Sequence, residues 1–182
     1  MKLVAVEADP GHLAFLHQNL ADNDLLQLMP HIRHAIVGPR DGMALFPRLH
    51  EPSEHWGAAA HYEAAPWWRR WRRPRHEHMI ALPSLSLPSL LRDHAVVDLM
   101  HVDIQGAEGE VLSAAAPTID AKVRRIAIGT HSRGVEEVLL SLFGALGWTL
   151  ENEAACEMKQ FDTPGMLLNA RDGVQVWRNP KL

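Results

Sequence analysis

The chain has almost no cysteine: Cys156 stands alone among 182 residues, so no intrachain disulfide can form and no paired-cysteine metal or redox motif exists. A reducing, cytoplasmic compartment is the simplest home for such a chain. No apolar run approaches the length of a membrane span. The opening residues Met1-Lys2-Leu3-Val4-Ala5-Val6-Glu7 reach a charge too soon to form a secretory signal core. A dominant charge is missing as well. The formal net charge of -4 and pI near 6.3 argue against a general nucleic-acid binder, although they leave room for a local basic patch. No internal repeat is present. What remains, 47% hydrophobic and 22% charged, is the make-up of one globular domain, 1–182, with a sizeable core.

Leu3-Val4-Ala5-Val6 has the composition of a short buried strand ending on Glu7. Asp9-Pro10 then reads as helix cap and first helical residue, with Leu13, Leu16 and Leu20 on one face and Asn23-Asp24 closing the helix. His31 to Gly38 supplies a second strand, and Asp41-Gly42 looks like a hairpin turn into Met43-Ala44-Leu45-Phe46. From about 52 to 83 periodicity disappears, and Pro66 to Arg75 packs five arginines and three tryptophans into ten positions. Such a stretch reads as an inserted lid or binding loop. Ser86 to His94 predicts a short helix. An apolar run from Val96 leads into Asp103, a glycine turn follows, and a helix runs from Glu108 through Ile119. Val123 to Thr130 is a further strand, 134–146 a helix with Val138, Leu139, Leu142 and Leu146 on one side, and 148–151 and 173–177 closing strands with a loop around Pro164-Gly165 between them. Alternating strands and helices predict an α/β fold with a mostly parallel, three-layer sheet, and the strand-strand ending predicts an antiparallel edge.

Ligands of open α/β sheets lie beyond the carboxyl ends of the strands, which places Asp103 and Glu7 where chemistry is done. Each has a plainer role open to it: Asp103 as the cap of the next helix, Glu7 as a solvated turn residue. His131, in Gly129-Thr130-His131-Ser132, is an imidazole at a strand end that could titrate near neutral pH or merely cap the following helix. Ser132 lacks the G-x-S-x-G spacing of a serine-hydrolase elbow. Twelve histidines invite a metal site, but none pair at helical spacing beside a carboxylate, so no metal is expected.

Val4-Ala5-Val6-Glu7-Ala8-Asp9-Pro10, Asn19 to Asn23, Ala35-Ile36-Val37-Gly38 with Asp41-Gly42, and above all His101-Val102-Asp103-Ile104-Gln105-Gly106-Ala107-Glu108 resemble the FkbM family of S-adenosylmethionine-dependent methyltransferases. The likeness runs from Leu3 to about Ala116 and continues more loosely through Ile128 to His131 and Asp172-Gly173. It implies a Rossmann-like methyltransferase fold with strand order 3-2-1-4-5-7-6. It also implies S-adenosylmethionine as cofactor, held by Glu7 at the ribose, with Asp9, Ala35, Val37 and Asp103 as further contacts, and Glu108, Trp56 and His101 toward the acceptor. Asp103 or His131 would be the base, and the acceptor would be an oxygen or nitrogen of a small molecule or sugar. His101 departs from the family's usual lysine. The chain also begins at what matches the family's second strand, without the first strand and its glycine-rich turn, whose glycine lets the backbone approach the cofactor. The expectation is a fragment or a misplaced start, ahead of a domain that has closed on itself. Unpaired sheet edges would favour a homo-oligomer. The alternative is a non-catalytic remnant or binding module that engages a partner, single-stranded nucleic acid among them, through the Trp and Arg loop.

Overall fold

A computed structural model describes residues 2–28, 31–48, 59–62, 79–160 and 167–182, which fall into two compact units, Met1–Leu85 and Ser86–Leu182. Trp56 and the whole Pro66 to Arg75 segment lie outside the described residues.

In the first unit, β1 (Val4–Glu7) pairs in parallel with β2 (His31–His34), Val4 opposite His31. Helix α1 (Pro10–Asp22) joins them, and the expected cap is there: the Asp9 side chain accepts from the His12 N–H at 2.8 Å, and Pro10 occupies the first turn, where no backbone donor is needed. Leu20 is buried, with Leu13 and Leu16 half-buried on the same side.

The expected strand 31–38 is two strands, because Ala35 and Ile36 are both buried and break the period-two alternation, so the chain changes sheet after Ala35. β3 (Ile36–Gly38) belongs to a second sheet with β4 (Gly42–Pro47), β5 (His61–Tyr62) and β6 (Met79–Ser86), in the order β3-β6-β4-β5. The Asp41-Gly42 hairpin is therefore a correction: β6 lies between β3 and β4, and β4 pairs antiparallel with β6 instead. The stretch expected to lack regular structure likewise ends earlier, since Met79 to Pro83 belongs to β6 and His61-Tyr62 to β5. Ile36, Ala44, Phe46 and Leu82 form this unit's apolar core.

The second unit opens with one turn of helix, α2 (Leu87–Leu90), capped by Ser86. β7 (Met100–Val102), α3 (Glu108–Ala114), α4 (Ala116–Lys122), β8 (Arg125–Thr130), α5 (Arg133–Ala145), β9 (Thr149–Ala154), β10 (Glu157–Gln160), β11 (Leu167–Arg171) and β12 (Gly173–Arg178) follow. The helix expected from Glu108 through Ile119 is broken at Ala115, because Pro117 in the first turn of α4 has no N–H to continue α3. β10 and β11 form a hairpin inside a stretch expected to be loop. On α5 the buried face is Glu136, Leu139 and Phe143, while Val138 is 43% exposed.

Sheet order here is β7-β8-β12-β9, parallel between β7 and β8 and antiparallel on both sides of β12. Each within its own unit, β2-β1 matches the 3-2 run and β7-β8-β12-β9 the 4-5-7-6 run of the expected order, and the antiparallel edge is where it was predicted. The fold is α/β, with mixed sheets, as the alternation of strands and helices predicts. Leu112, Ile119, Val123, Ile126, Ile128, Leu139 and Phe143 are fully buried, and the Phe143 ring packs on Trp148 and Trp177 with centroids 5.0 and 5.2 Å away. No helix among the described residues is long and apolar enough to cross a membrane.

Gly173 starts β12 opposite Thr130, where a Cβ would come within 2.7 Å of the Ala154 carbonyl oxygen and 2.5 Å of Glu136 Oε1. Backbone cannot give way cheaply, so Gly173→Ala is expected to cost about 1–3 kcal/mol by overpacking. A thermal midpoint equal to that of the wild type would contradict this.

Candidate active site at the carboxyl ends of β7 and β8

β7 and β8 run side by side, Val102 opposite Ile128, so the residues just past their ends, Asp103 and His131, come together. After Asp103 the backbone takes two left-handed steps, Gln105 at φ 56° and Gly106 at φ 94°. Gly106 meets that demand without strain, and Gln105 recovers part of its cost by donating from Nε2 to Asp103 Oδ1 at 3.2 Å. This turn aims the N–H groups of Ile104 and Gly106 at Glu108 Oε1, 3.1 Å from each. Helix α3 has no side-chain N-cap at Ala107; Glu108, in its first turn, folds back onto the turn and also gains from the helix dipole.

The plainer reading of Asp103 as helix cap is thereby set aside, and so is that of His131, because Ser132 caps α5 by accepting from the Val135 N–H at 3.2 Å. Instead His131 lies between two acids. Its Nε2 is 3.2 Å from Asp103 Oδ1 and its Nδ1 is 2.9 Å from Glu108 Oε1. The side chains differ sharply in exposure: Glu108 0%, His131 13%, Asp103 47%. The carboxylate of Asp103 and, after it, that of Glu108, against the opposing effect of burial, push the His131 imidazolium up to about 10. The hydrogen bond from His131 holds Asp103 below the usual carboxylate range. Burial pushes Glu108 upward, but His131 and the N–H groups of Glu108 itself and Gly106 more than offset it.

The expectation that His131 titrates near neutral pH is corrected by this pairing. Between two carboxylates it is a cation, with no lone pair to accept a proton. Glu108 is also corrected: fully buried, it acts on the site through the turn and His131 rather than by touching an acceptor. The three donor atoms lie within 4.8 Å of one another, close enough to suggest a cation site. Yet each imidazole nitrogen serves a different carboxylate, so no single lone pair converges with both acids, and the cluster reads as an ion-paired triad. Helical spacing could not have revealed it, because Asp103 and Glu108 flank a turn and His131 comes from the end of another strand.

The remaining expected residues divide by unit. His101, exposed, shares with Asp103 the outward face of β7 and helps lower its carboxyl. In the first unit Glu7 is half-buried at the end of β1, and its Oε1 accepts from the Asp9 N–H at 2.8 Å. The His34 ring, 3.0 Å from the Ala8 carbonyl, ties down the same turn. Asp9 is corrected: 2% exposed and committed to capping α1, its carboxylate has no face left for a cofactor. Ala35 is buried with its N–H on the Glu7 carbonyl at 3.1 Å, and the Val37 carbonyl accepts from the Tyr62 hydroxyl at 2.7 Å. Sequence reasoning missed the network beneath the triad, in which buried Glu136 accepts from Thr130 Oγ1 at 3.0 Å and from the Cys156 N–H at 2.6 Å. Nothing in the local pattern around Glu136 signals it.

Acidic groups at the carboxyl ends of strands are where α/β domains place ligand chemistry. Residues 2–146 match the methyltransferase FkbM domain, and the chain belongs to that family. It is 32% identical over 182 residues to a protein of Jannaschia sp. (strain CCS1) described as "Putative methyltransferase", an alignment that covers 99% of this chain and 63% of that relative's length. Among solved structures it is similar to the METTL16 MTase domain, at 10% identity, TM-score 0.43, and 96% and 49% of the two chains. The delta-N METTL16 MTase domain gives the same TM-score and identity, with 61% of that chain covered.

Proposed function

We propose that the protein transfers a methyl group from S-adenosylmethionine to an oxygen or nitrogen of a small-molecule or sugar acceptor. The observation that carries this reading is Asp103: an ionised, half-exposed carboxylate fixed by an imidazolium at a strand's carboxyl end, inside the segment that matches the family. Its chemistry fits the cationic end of the cofactor. In the first unit, taken by itself, Glu7 at the end of β1 is an anchored acid of the kind that takes ribose hydroxyls. The cofactor when bound supplies an electrophilic methyl group on a sulfonium. Asp103 positions the acceptor, its Oδ2 accepting the hydrogen bond of the acceptor's O–H or N–H while Oδ1 stays with His131 and Gln105. A carboxylate of depressed pKa is a weak base, so the proton passes late, as the new bond to carbon forms. The site sits in a protein of the cytoplasm, in keeping with its single, buried Cys156.

Titrating S-adenosylmethionine into the purified chain by calorimetry is expected to give saturable heat that Glu7→Ala weakens at least tenfold. Absence of heat at millimolar ligand would overturn the proposal.

A further inference from the structure

We propose that Glu108 is the positioning residue of this site: from inside the protein it fixes both the 104–106 turn and the His131 ring, and through that ring it sets the orientation and charge of Asp103. The proposal rests on the methyl-transfer reading only for its kinetic consequence.

Four geometric facts carry it. Glu108 is fully buried, so its carboxylate reaches no ligand directly. One oxygen, Oε1, takes the N–H groups of Ile104 and Gly106 and lies 2.9 Å from His131 Nδ1. The opposite nitrogen of the same ring is 3.2 Å from Asp103 Oδ1, so the imidazole cannot rotate without losing one partner. Gly129, on β8, leaves room for the Asp103 carboxylate beside His131, since a Cβ there would be 3.3 Å from Asp103 Cγ. A buried carboxylate that orients an imidazole by its inner nitrogen, leaving the outer one to act, is a recurring arrangement wherever histidine must hold a fixed tautomer or charge.

Among the described residues of the second unit, the titratable and charged groups placed toward the ring come from four elements. Asp103 follows β7 and His101 lies on that strand's outward face; Glu108 comes from α3; Asp172 falls opposite His131 if the β12–β8 register is continued past Gly173 and Thr130. On α5, Arg133 and Glu136 pair with each other at 3.1 Å. Of these, Glu108 is the acid with no exposure, and burial makes its charge the least screened.

The test is the titration of the His131 ring by NMR, its signal assigned by difference from His131→Gln, with no cofactor present. In the wild type the midpoint is expected near 10. In Glu108→Gln, which keeps shape and loses charge, it is expected to fall by more than about one unit, a tenfold easier loss of the proton. In Asp103→Asn, which leaves the buried pair intact, it is expected to stay well above the ordinary histidine value. A midpoint unmoved in Glu108→Gln would overturn the proposal. If Glu108→Gln does not fold, an ordinary histidine midpoint in Asp103→Asn would overturn it, because Glu108 alone would then be holding nothing. With S-adenosylmethionine and acceptor, Glu108→Gln is expected to lower kcat at least tenfold with cofactor affinity changed less than threefold. Wild-type inactivity alongside the expected titrations would instead overturn the methyl-transfer reading and leave the positioning role standing.

Discussion

Asp103→Ala is expected to lower methyl transfer by about 10²–10⁴-fold, the range by which a positioned proton acceptor accelerates a reaction. The fold should survive, because the Asp103 side chain is about half exposed and no backbone donor depends on it among the described hydrogen bonds. Its loss removes the group that meets the acceptor and unbalances the triad. His131 would keep Glu108 as partner and would turn its outer nitrogen to solvent. Asp103→Asn separates two contributions: the amide preserves shape and can still accept a hydrogen bond, but it carries no charge. If charge is what matters, Asn and Ala should be equally damaging; if orientation of the acceptor dominates, Asn should retain at least a tenth of the activity. Retained turnover in Asp103→Ala at saturating methyl donor would remove Asp103 from the reaction.

Features that follow from neighbours along the chain were legible in the sequence. Asp9-Pro10 announces a helix start because cap and proline act within a single turn. The strand, glycine turn and helix around Asp103 are equally local, and the left-handed Gly106 is where the sequence puts a glycine. The insertion of β6 between β3 and β4 was not legible, because strand order is settled by burial of side chains far apart in sequence. Pro117, by contrast, was a visible signal that α3 must end, and the helix prediction passed over it. The site divides in the same way. Asp103 and His131 were expected at strand ends, yet the parallel register that joins them to Glu108 is a tertiary fact. Charge follows from that register: His131 alone would titrate near neutrality, and only two acids beside it make it a lasting cation.

Glu108→Leu is expected to destabilise the second unit by about 3–5 kcal/mol, the usual cost of removing one member of a buried charge pair, because His131 keeps only the half-exposed Asp103. Two turn N–H groups lose their acceptor at the same time, since Ile104 and Gly106 both donate to Glu108 Oε1. At roughly 2–4 °C per kcal/mol for a chain of this size, the thermal midpoint should drop by about 6–20 °C. Its pH dependence distinguishes this cause from a simple packing defect. Asp103 and Glu108 have depressed folded pKa values, so their contribution is present above the ordinary carboxylate values of 3.8 and 4.5 and fades as the pH falls through the folded ones. His131 has a raised folded value, so its contribution is complete below 6.5 and is lost as the pH climbs from there through about 10. Wild type and Glu108→Leu should therefore differ most between about pH 5 and 6.5, and the difference should shrink steadily toward pH 10. Thermal melts of both proteins at intervals across that span check this, and a difference that stays constant with pH would show that Glu108 stabilises the fold by packing and not by charge.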